Sequence, residues 1–451
     1  MAMERGNFGS KLAIVLATAG SAVGLGNVWR FPFMTGQNGG AAFILIYFAC
    51  VLLLGIPGMV SEFIVGRYAQ ANAARAYSFL GHRGWRCIGY LGILTSTIIL
   101  GFYAVVAGWC LQYLFASLGG RLNGDASYVI NYFTTFSSDP VKPCLWAIGF
   151  VLITHVVVTQ GVEKGIERAS KLLMPLLLLL LVILVVASCM LPGASKGIDF
   201  LLRPDFSKVS GSVFLEALGQ AFFSLSLGTA CLCTYASYFK RDTDLLRSAT
   251  QIALLDSAIA ILAGLMIFPA AFSVGVQPDS GPSLIFITLP NVFQRAFLTM
   301  PAVGYVISIL FYALLVFAAL TSTISMHEIG TAFFHEELHL PRKQAAWILT
   351  VVCGTIAVFC SLSVGAYDGI QVMGMPLMDF CDYLTAQYML PSGAFLTSIM
   401  LGWCVSRQLV RNEFLNGSSL RESFFNVWLF SVRFIVPLCL ILIFLHQFGI
   451  I

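Results

Sequence analysis

The sequence predicts an all-α polytopic membrane protein with eleven transmembrane helices. Of its 451 residues, 58% are hydrophobic and 10% are charged, whereas soluble proteins carry about 25% charged residues. The chain also divides into apolar runs of about 20 residues, the length that crosses a bilayer. Finally, one run in each half of the chain is interrupted by glycine and polar residues. These observations exclude a soluble protein and indicate a site inside the membrane.

Eleven apolar runs are long enough to be spans. They cover residues 11–36, 41–68, 87–118, 143–160, 168–191, 212–239, 246–274, 300–332, 345–365, 391–408 and 424–447. The start of the tenth is the least defined, because Asp379 and Asp382 precede Pro391. The net charge of +4 is small and scattered, which excludes nucleic acid as a partner. The 12 cysteines lie in apolar surroundings without a CxxC motif and are interpreted as small buried hydrophobic residues.

The distribution of basic residues orients the chain. If the N-terminus is cytoplasmic, 17 of the 25 Lys and Arg residues lie in inner segments, 6 lie in outer loops, and Arg30 and Arg433 lie within spans. Because cytoplasmic segments carry the excess of Lys and Arg, we predict that the N-terminus is inside. An odd number of spans then places the C-terminus outside. No loop is large enough for a soluble domain, so residues 1–451 are predicted to form a single transmembrane domain.

The first run contains the stretch "TAGSAVGLGNVWRFP", from Thr18 to Pro32. Glycine destabilises a helix by about 1 kcal/mol relative to alanine. Asn27 and Arg30 are costly at membrane depth and are typical of functional sites there. "GSAVG" also fits the GxxxG pattern of packed membrane helices, which is the simpler interpretation of the glycines. The amide and the guanidinium on the same segment favour an interrupted helix instead.

The sixth run contains a second interruption, "QAFFSLSLGTACLCTY", from Gln220 to Tyr235. Non-helical backbone at membrane depth occurs only where it is buried in protein or lines a cavity. An offset of five spans inverts a repeat in the membrane, and paired interrupted helices in inverted halves point to the central site of a secondary transporter. We therefore predict two inverted repeats, at about 10–191 and about 212–408, followed by helix 11 at about 424–447.

Interrupted helices offer specific binding groups. The N-H groups at the start of a half-helix suit a carboxylate, and the free carbonyl groups of the other half suit a small hard cation such as Na⁺. Further oxygen atoms come from "FAALTSTIS", Phe317 to Ser325, and from Asp256 in the seventh run. A lone Ser or Thr in a membrane helix usually bonds its own backbone. An intramembrane carboxylate is a site hypothesis by default, which makes Asp256 the stronger candidate.

Eight motifs in order along the chain resemble those of the neurotransmitter:sodium symporter family. They are "GSAVGLGNVWRFP", "NGGAAF", "GIPGMVSEFIVGRY", "KGIERASKLLMP", "FFSLSLG", "TYASY", "GPSLIFITLP" and "ALTS". The resemblance extends from about residue 5 to the end and is closest to the prokaryotic amino-acid transporters, some of which have eleven spans. It implies the LeuT-type fold, a five-plus-five inverted repeat with helices 1 and 6 unwound in mid-membrane, in a prokaryotic inner membrane.

The resemblance implies two sodium sites and a substrate pocket. Sodium site 1 would use the Ala22 carbonyl, Asn27, Ser224, Asp256 and the substrate carboxylate. Sodium site 2 would use the carbonyls of Gly20, Val23 and Ala318 with the hydroxyls of Thr321 and Ser322. The pocket would be lined by Ser21, Ala22, Gly24, Leu25, Gly26, Ile99, Tyr103, Phe223, Ser224, Ser226, Thr229, Ser322 and Met326. Tyr103 would bond the substrate carboxylate, and Phe223 would cover the pocket from outside.

The resemblance also implies gates. Arg30, Phe223 and Tyr103 would form the outer gate, although Met389 aligns with the aspartate that pairs with the matching arginine in the bacterial leucine transporter. Arg5 would pair with Glu336 near Tyr238 on the cytoplasmic side. Glu62 would hold the unwound part of helix 6. Gly165 and Pro175 have the spacing that lets helix 5 unwind in similar proteins, and an ordinary kinked helix is the alternative.

The same resemblance indicates the transported substrate. Gly24 stands where amine transporters have an aspartate, which leaves space for a substrate carboxylate, and Ile99, Phe223 and Met326 make the distal pocket apolar beside the small Thr229. A neutral hydrophobic or aromatic L-amino acid is therefore expected, imported with Na⁺ at two sites. Asp256 replaces a common asparagine and supplies negative charge, so no chloride requirement is expected. A sodium-dependent amino-acid sensor and a passive channel are the alternatives.

One motif suggests an enzyme. "HEELH", from His335 to His339, fits the HExxH pattern of zinc peptidases. Such a site needs both histidines on one helical face, a third ligand and a bound water. Pro341 follows directly and no third ligand stands nearby. The chain is therefore not expected to be an enzyme, and its expected partners are an amino acid and the lipid bilayer.

Overall fold

The computed structural model describes residues 8–122, 124–275, 284–367, 369–416 and 422–450. These residues form a bundle of apolar helices, which we number span 1 to span 11 in chain order. Eight continuous helices are long and apolar enough to cross a membrane. Two more pairs pass the same test with bends of 57° within span 1 and 111° after span 10. The helices Gly211–Ser224 and Cys231–Ala236, which are separated by residues 225–230 and are not among these ten, are numbered span 6, and this numbering is consistent with the eleven spans that the sequence predicts.

Spans 1 to 5 form the first half of the bundle, and spans 1, 2 and 5 each contain a π-helical turn. Span 1 comprises Lys11–Ala22, the π turn Gly26–Arg30 and Phe31–Gln37; span 2 comprises Ala41–Cys50, the π turn Val51–Gly55 and Ile56–Ala69; span 3 is Arg86–Leu118; span 4 is Lys142–Thr159; span 5 comprises the π turn Val162–Glu167 and Arg168–Cys189.

Spans 6 to 11 form the second half. Span 6 comprises Gly211–Ser224 and Cys231–Ala236; span 7 is Leu245–Ser273; span 8 is Pro301–Glu337; span 9 is Arg342–Leu362; span 10 comprises Leu377–Leu384, the π turn Thr385–Met389, Leu390–Ile399 and the π turn Met400–Cys404; span 11 comprises Glu422–Phe430, the π turn Ser431–Ile435 and Val436–Gln447.

Short elements connect the spans. The helices and helical turns are Ala73–Leu80, Arg83–Trp85, Ala126–Ser137, Ala194–Leu202, Phe206–Lys208, Leu284–Thr288, Leu289–Ala296 and Arg407–Leu415. The strands Gln371–Val372 and Met375–Pro376 pair antiparallel, with Gln371 opposite Pro376 and Val372 opposite Met375. This small hairpin leads directly into span 10.

Span 10 begins earlier than the sequence predicts. The apolar run suggests residues 391–408, whereas the helix starts at Leu377 and ends at Cys404. Asp379 and Asp382 therefore lie inside the span, where they line a cavity. Carboxylates that face a cavity instead of lipid lower the hydropathy of a true span, so the apolar pattern misses its first turns.

Spans 1 and 6 are enclosed by the rest of the bundle. Every residue from Ala17 to Ala22 of span 1 and from Cys231 to Ala236 of span 6 is buried. Span 5, by contrast, exposes Leu172, Leu179 and Val186, as a helix in contact with lipid does. The two interrupted helices thus have protein around them, which is the condition for irregular backbone at membrane depth.

Candidate functional site

The breaks in spans 1 and 6 lie against each other. Span 1 leaves the helical conformation at Val23, with φ −72° and ψ 111°. In span 6, Ser226, Gly228 and Ala230 have φ values of 54°, 81° and 62°, a left-handed conformation that costs a non-glycine residue about 1–2 kcal/mol. The Ser226 hydroxyl donates to the Ser21 carbonyl oxygen at 3.2 Å. This bond ties one interruption to the other.

Glu62 of span 2 holds the break in span 6. Its Oε1 accepts the Gly228 N-H at 2.7 Å, and its side chain is buried. A Cβ at Gly228 would lie 2.2 Å from the Leu390 carbonyl oxygen, so only glycine fits. The Ser96 hydroxyl of span 3 donates to the Thr229 carbonyl oxygen at 2.6 Å. Side chains of spans 2 and 3 therefore satisfy backbone groups that an unbroken helix would satisfy itself.

We expect Glu62→Ala to destabilise the protein and Glu62→Gln to be tolerated. Alanine leaves the buried Gly228 N-H without an acceptor, which costs about 1–3 kcal/mol, whereas glutamine keeps an acceptor oxygen. Thermal unfolding of the detergent-solubilised protein measures the difference, with a lower midpoint expected for Glu62→Ala alone. Equal midpoints for the wild type and Glu62→Ala would remove this role from Glu62.

Asp256 of span 7 lies at the centre of a buried polar cluster. Asn27 Nδ2 donates to Asp256 Oδ1 at 2.7 Å, and the Ser224 hydroxyl donates to Oδ2 at 2.7 Å. The Tyr47 hydroxyl donates to Oδ2 at 3.3 Å. Asn27 Oδ1 accepts the Gly24 N-H at 3.0 Å, which connects the carboxylate to the break in span 1. Asn27, Ser224 and Asp256 were predicted together; Tyr47 was missed.

The donor set around Asp256 fits a small hard cation. Asp256 and Asn27 are fully buried and Ser224 is nearly so. Among the described residues, the three side chains that hydrogen-bond the carboxylate are neutral, and a buried charge without a charged partner is costly. Carboxylate, amide, hydroxyl and carbonyl oxygens are the ligands that hard cations prefer. Ala22 lies directly before Val23, at the end of the regular helix of span 1, so its carbonyl belongs to the break.

A second cluster of oxygen atoms joins spans 1 and 8. The Thr321 hydroxyl donates to the Ala318 carbonyl oxygen at 2.9 Å and lies 3.3 Å from the Val23 carbonyl oxygen. The Ser322 hydroxyl donates to the Val23 carbonyl oxygen at 3.1 Å. A Cβ at Gly20 would lie 3.4 Å from the Thr321 Cβ. All five residues predicted for sodium site 2 are thus brought to one place.

Met174 of span 5 covers this second cluster. Its Sδ lies 3.4 Å from the position of a Cβ on Gly20, and its side chain is buried. The sequence gives no reason to select Met174, because a methionine in an apolar helix is ordinary core. Span 5 therefore forms one wall of the cluster.

The space predicted for a substrate lies between span 1, Tyr103 and span 8. The Leu25 N-H donates to the Tyr103 hydroxyl at 2.9 Å. A Cβ at Gly24 would lie 2.5 Å from Ser322 Oγ and 2.9 Å from the Tyr103 hydroxyl. A Cβ at Gly26 would lie 3.0 Å from the Phe223 ring. Any side chain at position 24 would therefore enter the space beside a backbone N-H group.

The distal residues have mainly apolar surroundings. Ile99 is buried in the main core, and Met326 packs against the small cluster of Leu100, Leu349 and Cys353. The Thr229 hydroxyl donates to the Ser226 carbonyl oxygen at 2.7 Å, so its polar group is already satisfied.

A cavity of about 350 Å³ lies beyond Tyr103 and Phe223, toward the predicted outer face. It is bounded by the second half of span 1 and by parts of spans 3, 6 and 10. Its lining residues are Leu25, Gly26, Trp29, Arg30, Phe33, Met34, Phe102, Tyr103, Val106, Phe223, Met378, Asp379 and Asp382. Tyr103 and Phe223 thus lie in the wall of this cavity beside Leu25 and Gly26, at the end of the break in span 1.

Arg30 faces Asp382 across this cavity, which corrects the sequence prediction. The Arg30 Cζ lies 4.1 Å from the centre of the Phe223 ring, and its Nη1 has no hydrogen-bond partner among the described residues. Arg30 and Asp382 both line the cavity and attract each other electrostatically. The sequence alignment put Met389 in the acidic position. In the structure Met389 is the last residue of the π turn Thr385–Met389, whereas Asp382 lies in the preceding helix Leu377–Leu384.

The predicted inner pair is only partly described. Arg5 lies outside the described residues, so its pairing with Glu336 stays a prediction. Glu336 Oε2 accepts the Asn72 N-H at 2.7 Å and the Asn72 Nδ2 at 3.0 Å. Phe8 is fully buried and donates its N-H to the Tyr238 carbonyl oxygen at 3.2 Å. Phe8, the first described residue, is therefore packed against the segment that follows span 6.

Glu328 is a buried acid on span 8 that the sequence analysis missed. The Tyr238 hydroxyl donates to its Oε1 at 2.6 Å, and Arg342 Nη1 donates to the same oxygen at 3.1 Å. Arg342 Nε also donates to the Val158 carbonyl oxygen at 3.1 Å. The bonds join span 8 to Val158 near the end of span 4, to Tyr238 just after span 6 and to Arg342 at the start of span 9. An acid within an apolar run is the signal that selected Asp256. Glu328 lies within the predicted run 300–332, so the same signal would have selected it.

Span 5 is irregular around Gly165, at the start of the stretch that the sequence predicts to unwind. The N-H groups of Gly165 and Ile166 both donate to the Gly161 carbonyl oxygen at 3.1 Å. A Cβ at Gly165 would lie 2.1 Å from the Val157 carbonyl oxygen, so glycine is required by packing against span 4. Pro175 lies inside the helix Arg168–Cys189 and removes one backbone donor. The unwinding of this stretch stays a prediction.

The HExxH pattern does not form a zinc site. Span 8 ends at Glu337, and His339 lies beyond it with φ 52°, so the two histidines do not share a helical face. His335 Nδ1 lies 2.6 Å from the Leu340 carbonyl oxygen. Over the described part of the chain, no group of three or more His, Cys, Asp or Glu side chains is placed to hold a metal ion.

Comparison with known proteins agrees with this architecture. The profile of the Sodium:neurotransmitter symporter family matches residues 5–136 and 138–450. An uncharacterised sodium-dependent transporter of Bacillus subtilis is 40% identical over 445 residues, which cover 98% of this chain and 97% of the relative. The human sodium- and chloride-dependent GABA transporter 2 is 25% identical over 449 residues, covering 89% of this chain and 73% of the relative.

The fold is shared with a solved bacterial symporter. The crystal structure of MhsT in complex with L-phenylalanine aligns with a TM-score of 0.89 and 39% identity, covering 98% of this chain and 99% of MhsT. MhsT has the LeuT fold, and the family consists of transporters and not of enzymes. The fold predicted from the sequence is therefore confirmed. The chain belongs to the sodium:neurotransmitter symporter family and is a multi-span, sodium-dependent membrane transporter.

Proposed function

We propose that the chain imports neutral hydrophobic or aromatic L-amino acids together with Na⁺, by alternating access and without a requirement for chloride. The observation that carries the proposal is the buried Asp256 carboxylate, whose hydrogen-bonding side chains are all neutral. Asn27 connects it to the break in span 1, next to the Leu25 N-H. A cation beside Asp256 and a carboxylate beside the N-H groups would compensate each other.

The substrate carboxylate would bind where the Tyr103 hydroxyl now accepts the Leu25 N-H. Tyr103 would then donate to the carboxylate, and Gly24 would leave the space that it needs. The remaining pocket residues are those that the sequence predicts, with Phe223 as the cover on the outer side. The apolar surroundings of Ile99 and Met326 favour hydrophobic and aromatic side chains. The L-phenylalanine bound to MhsT supports this substrate class.

Two Na⁺ ions would bind at the two oxygen clusters. Sodium site 1 would use Ala22, Asn27, Ser224 and Asp256 with the substrate carboxylate, and sodium site 2 would use Gly20, Val23, Ala318, Thr321 and Ser322. Because the substrate would coordinate the first ion directly, each would raise the affinity of the other by the same factor. Inward flow of Na⁺ would thereby drive accumulation of the amino acid.

The Asp256 carboxylate is the reason for proposing chloride independence. The Asp256 carboxylate is a fixed negative charge. Together with the substrate carboxylate, it would already compensate the positive charge of the bound Na⁺. A bound chloride would lie near that carboxylate in a buried site, and like charges in close proximity cost several kcal/mol.

Alternating access would use the gates on either side of the clusters. Arg30, Phe223, Tyr103 and Asp382 would close the outer path, and Glu336, Tyr238 and Arg5 the inner path. We also propose the inverted repeats at about 10–191 and 212–408, a prokaryotic inner membrane as the location, a cytoplasmic N-terminus and an outer C-terminus. One helix bundle would tilt against the other around the fixed central site.

Uptake by the purified protein in proteoliposomes tests the proposal. A panel of radiolabelled amino acids is offered with an inward Na⁺ gradient, with K⁺ in place of Na⁺, and with gluconate in place of chloride. We expect saturable, Na⁺-dependent accumulation of phenylalanine, leucine and similar amino acids, with equal rates in chloride and gluconate. Charged amino acids are expected to be poor substrates.

The alternatives give different results in the same vesicles. A channel would pass Na⁺ without substrate and show no saturable uptake. A sensor would bind amino acid in the presence of Na⁺ but would not accumulate it. Uptake that stops when gluconate replaces chloride would contradict the chloride-independent part of the proposal and leave the symport part intact.

A further inference from the structure

The Glu167 carboxylate joins two segments that are 158 positions apart. Its Oε2 accepts the Gly9 N-H at 2.8 Å, and its Oε1 forms an ion pair with Lys171 Nζ at 2.6 Å. The Glu167 side chain is 5% exposed, whereas the Lys171 side chain is 43% exposed. The carboxylate is therefore held inside the protein by a backbone group of the N-terminal segment and by a surface lysine of its own helix.

The N-terminal segment is fixed at three successive residues. Phe8 is fully buried, with edge contacts to the rings of Tyr235 and Tyr238. Ser10 accepts the Ala13 N-H at 3.1 Å and caps span 1. Gly9 lies between them, and Glu167 supplies the acceptor for its N-H. A Cβ at Gly9 would lie 3.2 Å from Glu167 Oε1, so the two groups are in close contact.

Glu167 stands at the junction between the irregular and the regular part of span 5. It is the last residue of the π turn Val162–Glu167, and Pro175 interrupts the hydrogen bonds of the following helix. Met174 lies about 10 Å further along the helix and covers Gly20 of the second oxygen cluster. A displacement of this stretch would uncover that cluster on its cytoplasmic side. Pro175 has no backbone N-H to donate, so this stretch lacks one bond of a regular helix and contacts from outside the helix help to hold it in place.

We propose that Glu167 is a positioning residue that fastens span 5 to the N-terminal segment and keeps the second sodium site closed to the cytoplasm until both move. The carboxylate holds Gly9 on one side and the irregular turn on the other, so release of one frees the other. This inference rests on the proposed function for the identity of the ion, but the contact itself does not depend on it.

We call this contact, in which Glu167 fastens Gly9 to span 5, the latch. Three variants distinguish the latch from ordinary stabilisation of the helix by Glu167. Glu167→Ala removes the acceptor for Gly9 and the partner of Lys171. Glu167→Gln keeps an acceptor for the Gly9 N-H but loses the ion pair, and Lys171→Ala removes the ion pair alone. If Glu167 only stabilises its own helix through the i,i+4 pair, all three variants should behave alike. If Glu167 is a latch, Glu167→Ala should stand apart from the other two.

Hydrogen–deuterium exchange of the full-length protein in nanodiscs measures the contact directly. We expect Glu167→Ala to increase exchange in the peptides that cover residues 8–16 and 162–175, and to raise the Na⁺ concentration for half-maximal phenylalanine binding by about 3- to 10-fold. Phenylalanine affinity at saturating Na⁺ should stay within about 2-fold. Glu167→Gln and Lys171→Ala should remain near the wild type in both measurements.

Two results would overturn the latch. One is wild-type exchange in Glu167→Ala, and the other is equal change in Glu167→Ala and Lys171→Ala. Failure of the proposed function would look different, because the wild type itself would then bind no amino acid in a Na⁺-dependent manner. The exchange comparison in K⁺ buffer would still decide whether Glu167 fastens the two segments. Unfolding midpoints of all four proteins exclude general destabilisation as the cause.

Discussion

Replacement of Asp256 by asparagine is expected to raise the Na⁺ concentration for half-maximal uptake by about 10²- to 10⁴-fold. The carboxylate is fully buried, and the side chains that hydrogen-bond it are neutral. A cation bound beside asparagine would lose its compensating charge while keeping its full desolvation cost. Removing one partner of a buried pair typically costs about 3–5 kcal/mol, which gives the expected range.

Asparagine is the informative substitution because it preserves shape. Asn27 Nδ2 donates to Asp256 Oδ1, and the Ser224 hydroxyl donates to Asp256 Oδ2. The asparagine side chain can still accept one of these bonds through its carbonyl, and its size is nearly that of aspartate. The main change is the loss of negative charge. Alanine at the same position would add an unsatisfied Asn27 amide and would mix stability with sodium affinity.

The charge argument also gives a prediction for chloride in this variant. Uptake by the wild type is expected to be equal in chloride and gluconate. In Asp256→Asn, chloride is expected to restore part of the Na⁺ affinity, because a bound anion near Tyr47 and Ser224 would replace the missing charge. Uptake is measured in proteoliposomes at a series of Na⁺ concentrations with each anion, and scintillation proximity binding of labelled phenylalanine gives the same dependence without transport.

Asp379→Asn is the matched control for Asp256→Asn. Asp379 also lies within a span and lines the cavity beside Arg30, but the buried cluster does not include it. We expect its Na⁺ dependence to remain close to that of the wild type. An unchanged Na⁺ dependence in Asp256→Asn, with Asp379→Asn equally unchanged, would remove Asp256 from the first sodium site and would take the basis for chloride independence with it.

The spans and their two interruptions follow from local properties of the sequence. Apolar length sets each span, and glycine with Asn27 inside the first run marks the place where the helix stops. The structure has the break at Val23 and the second break at residues 225–230. Both signals lie within a single segment. They can therefore be read from the sequence without knowing which other segments pack against it.

Contacts between distant segments were harder to anticipate. The Tyr47 hydroxyl reaches Asp256 across 209 positions, and Arg342 reaches Glu328 across a turn between spans 8 and 9. No local pattern pairs such residues, although an acid inside an apolar run is a visible signal in each case. The hydropathy pattern missed the first turns of span 10, because Asp382 faces a cavity there and lowers the mean hydropathy of the helix.

A substitution of Gly24 by aspartate is expected to abolish the binding of L-phenylalanine, with a loss of about 10³-fold or more. A Cβ at this position would already lie 2.5 Å from Ser322 Oγ and 2.9 Å from the Tyr103 hydroxyl. The added carboxylate would therefore fill the space beside the Leu25 N-H. It would also repel the carboxylate of an amino acid, and like charges in a buried site cost several kcal/mol.

The same variant is expected to reverse the preference between an amino acid and the matching amine. 2-Phenylethylamine has the ring and the amino group of phenylalanine but lacks the carboxylate. The aspartate side chain introduced by Gly24→Asp would take the place of that carboxylate and would attract the ammonium group. Competition of both compounds against a labelled ligand gives the ratio of their affinities, and this ratio does not depend on the fraction of protein that is folded.

Gly24→Ala and Gly149→Ala complete the series. Gly24→Ala adds bulk without charge, so we expect a loss of about 10-fold for phenylalanine and no reversal of the preference. Apart from its chain neighbours and the backbone of its own helix, no atom of the described residues lies within 4 Å of a Cβ on Gly149 of span 4, so Gly149→Ala should bind as the wild type does. If Gly24→Asp weakened phenylalanine and 2-phenylethylamine equally, the substrate carboxylate would bind elsewhere. If it weakened neither, position 24 would lie outside the substrate site, and the proposed orientation of the amino acid would be wrong.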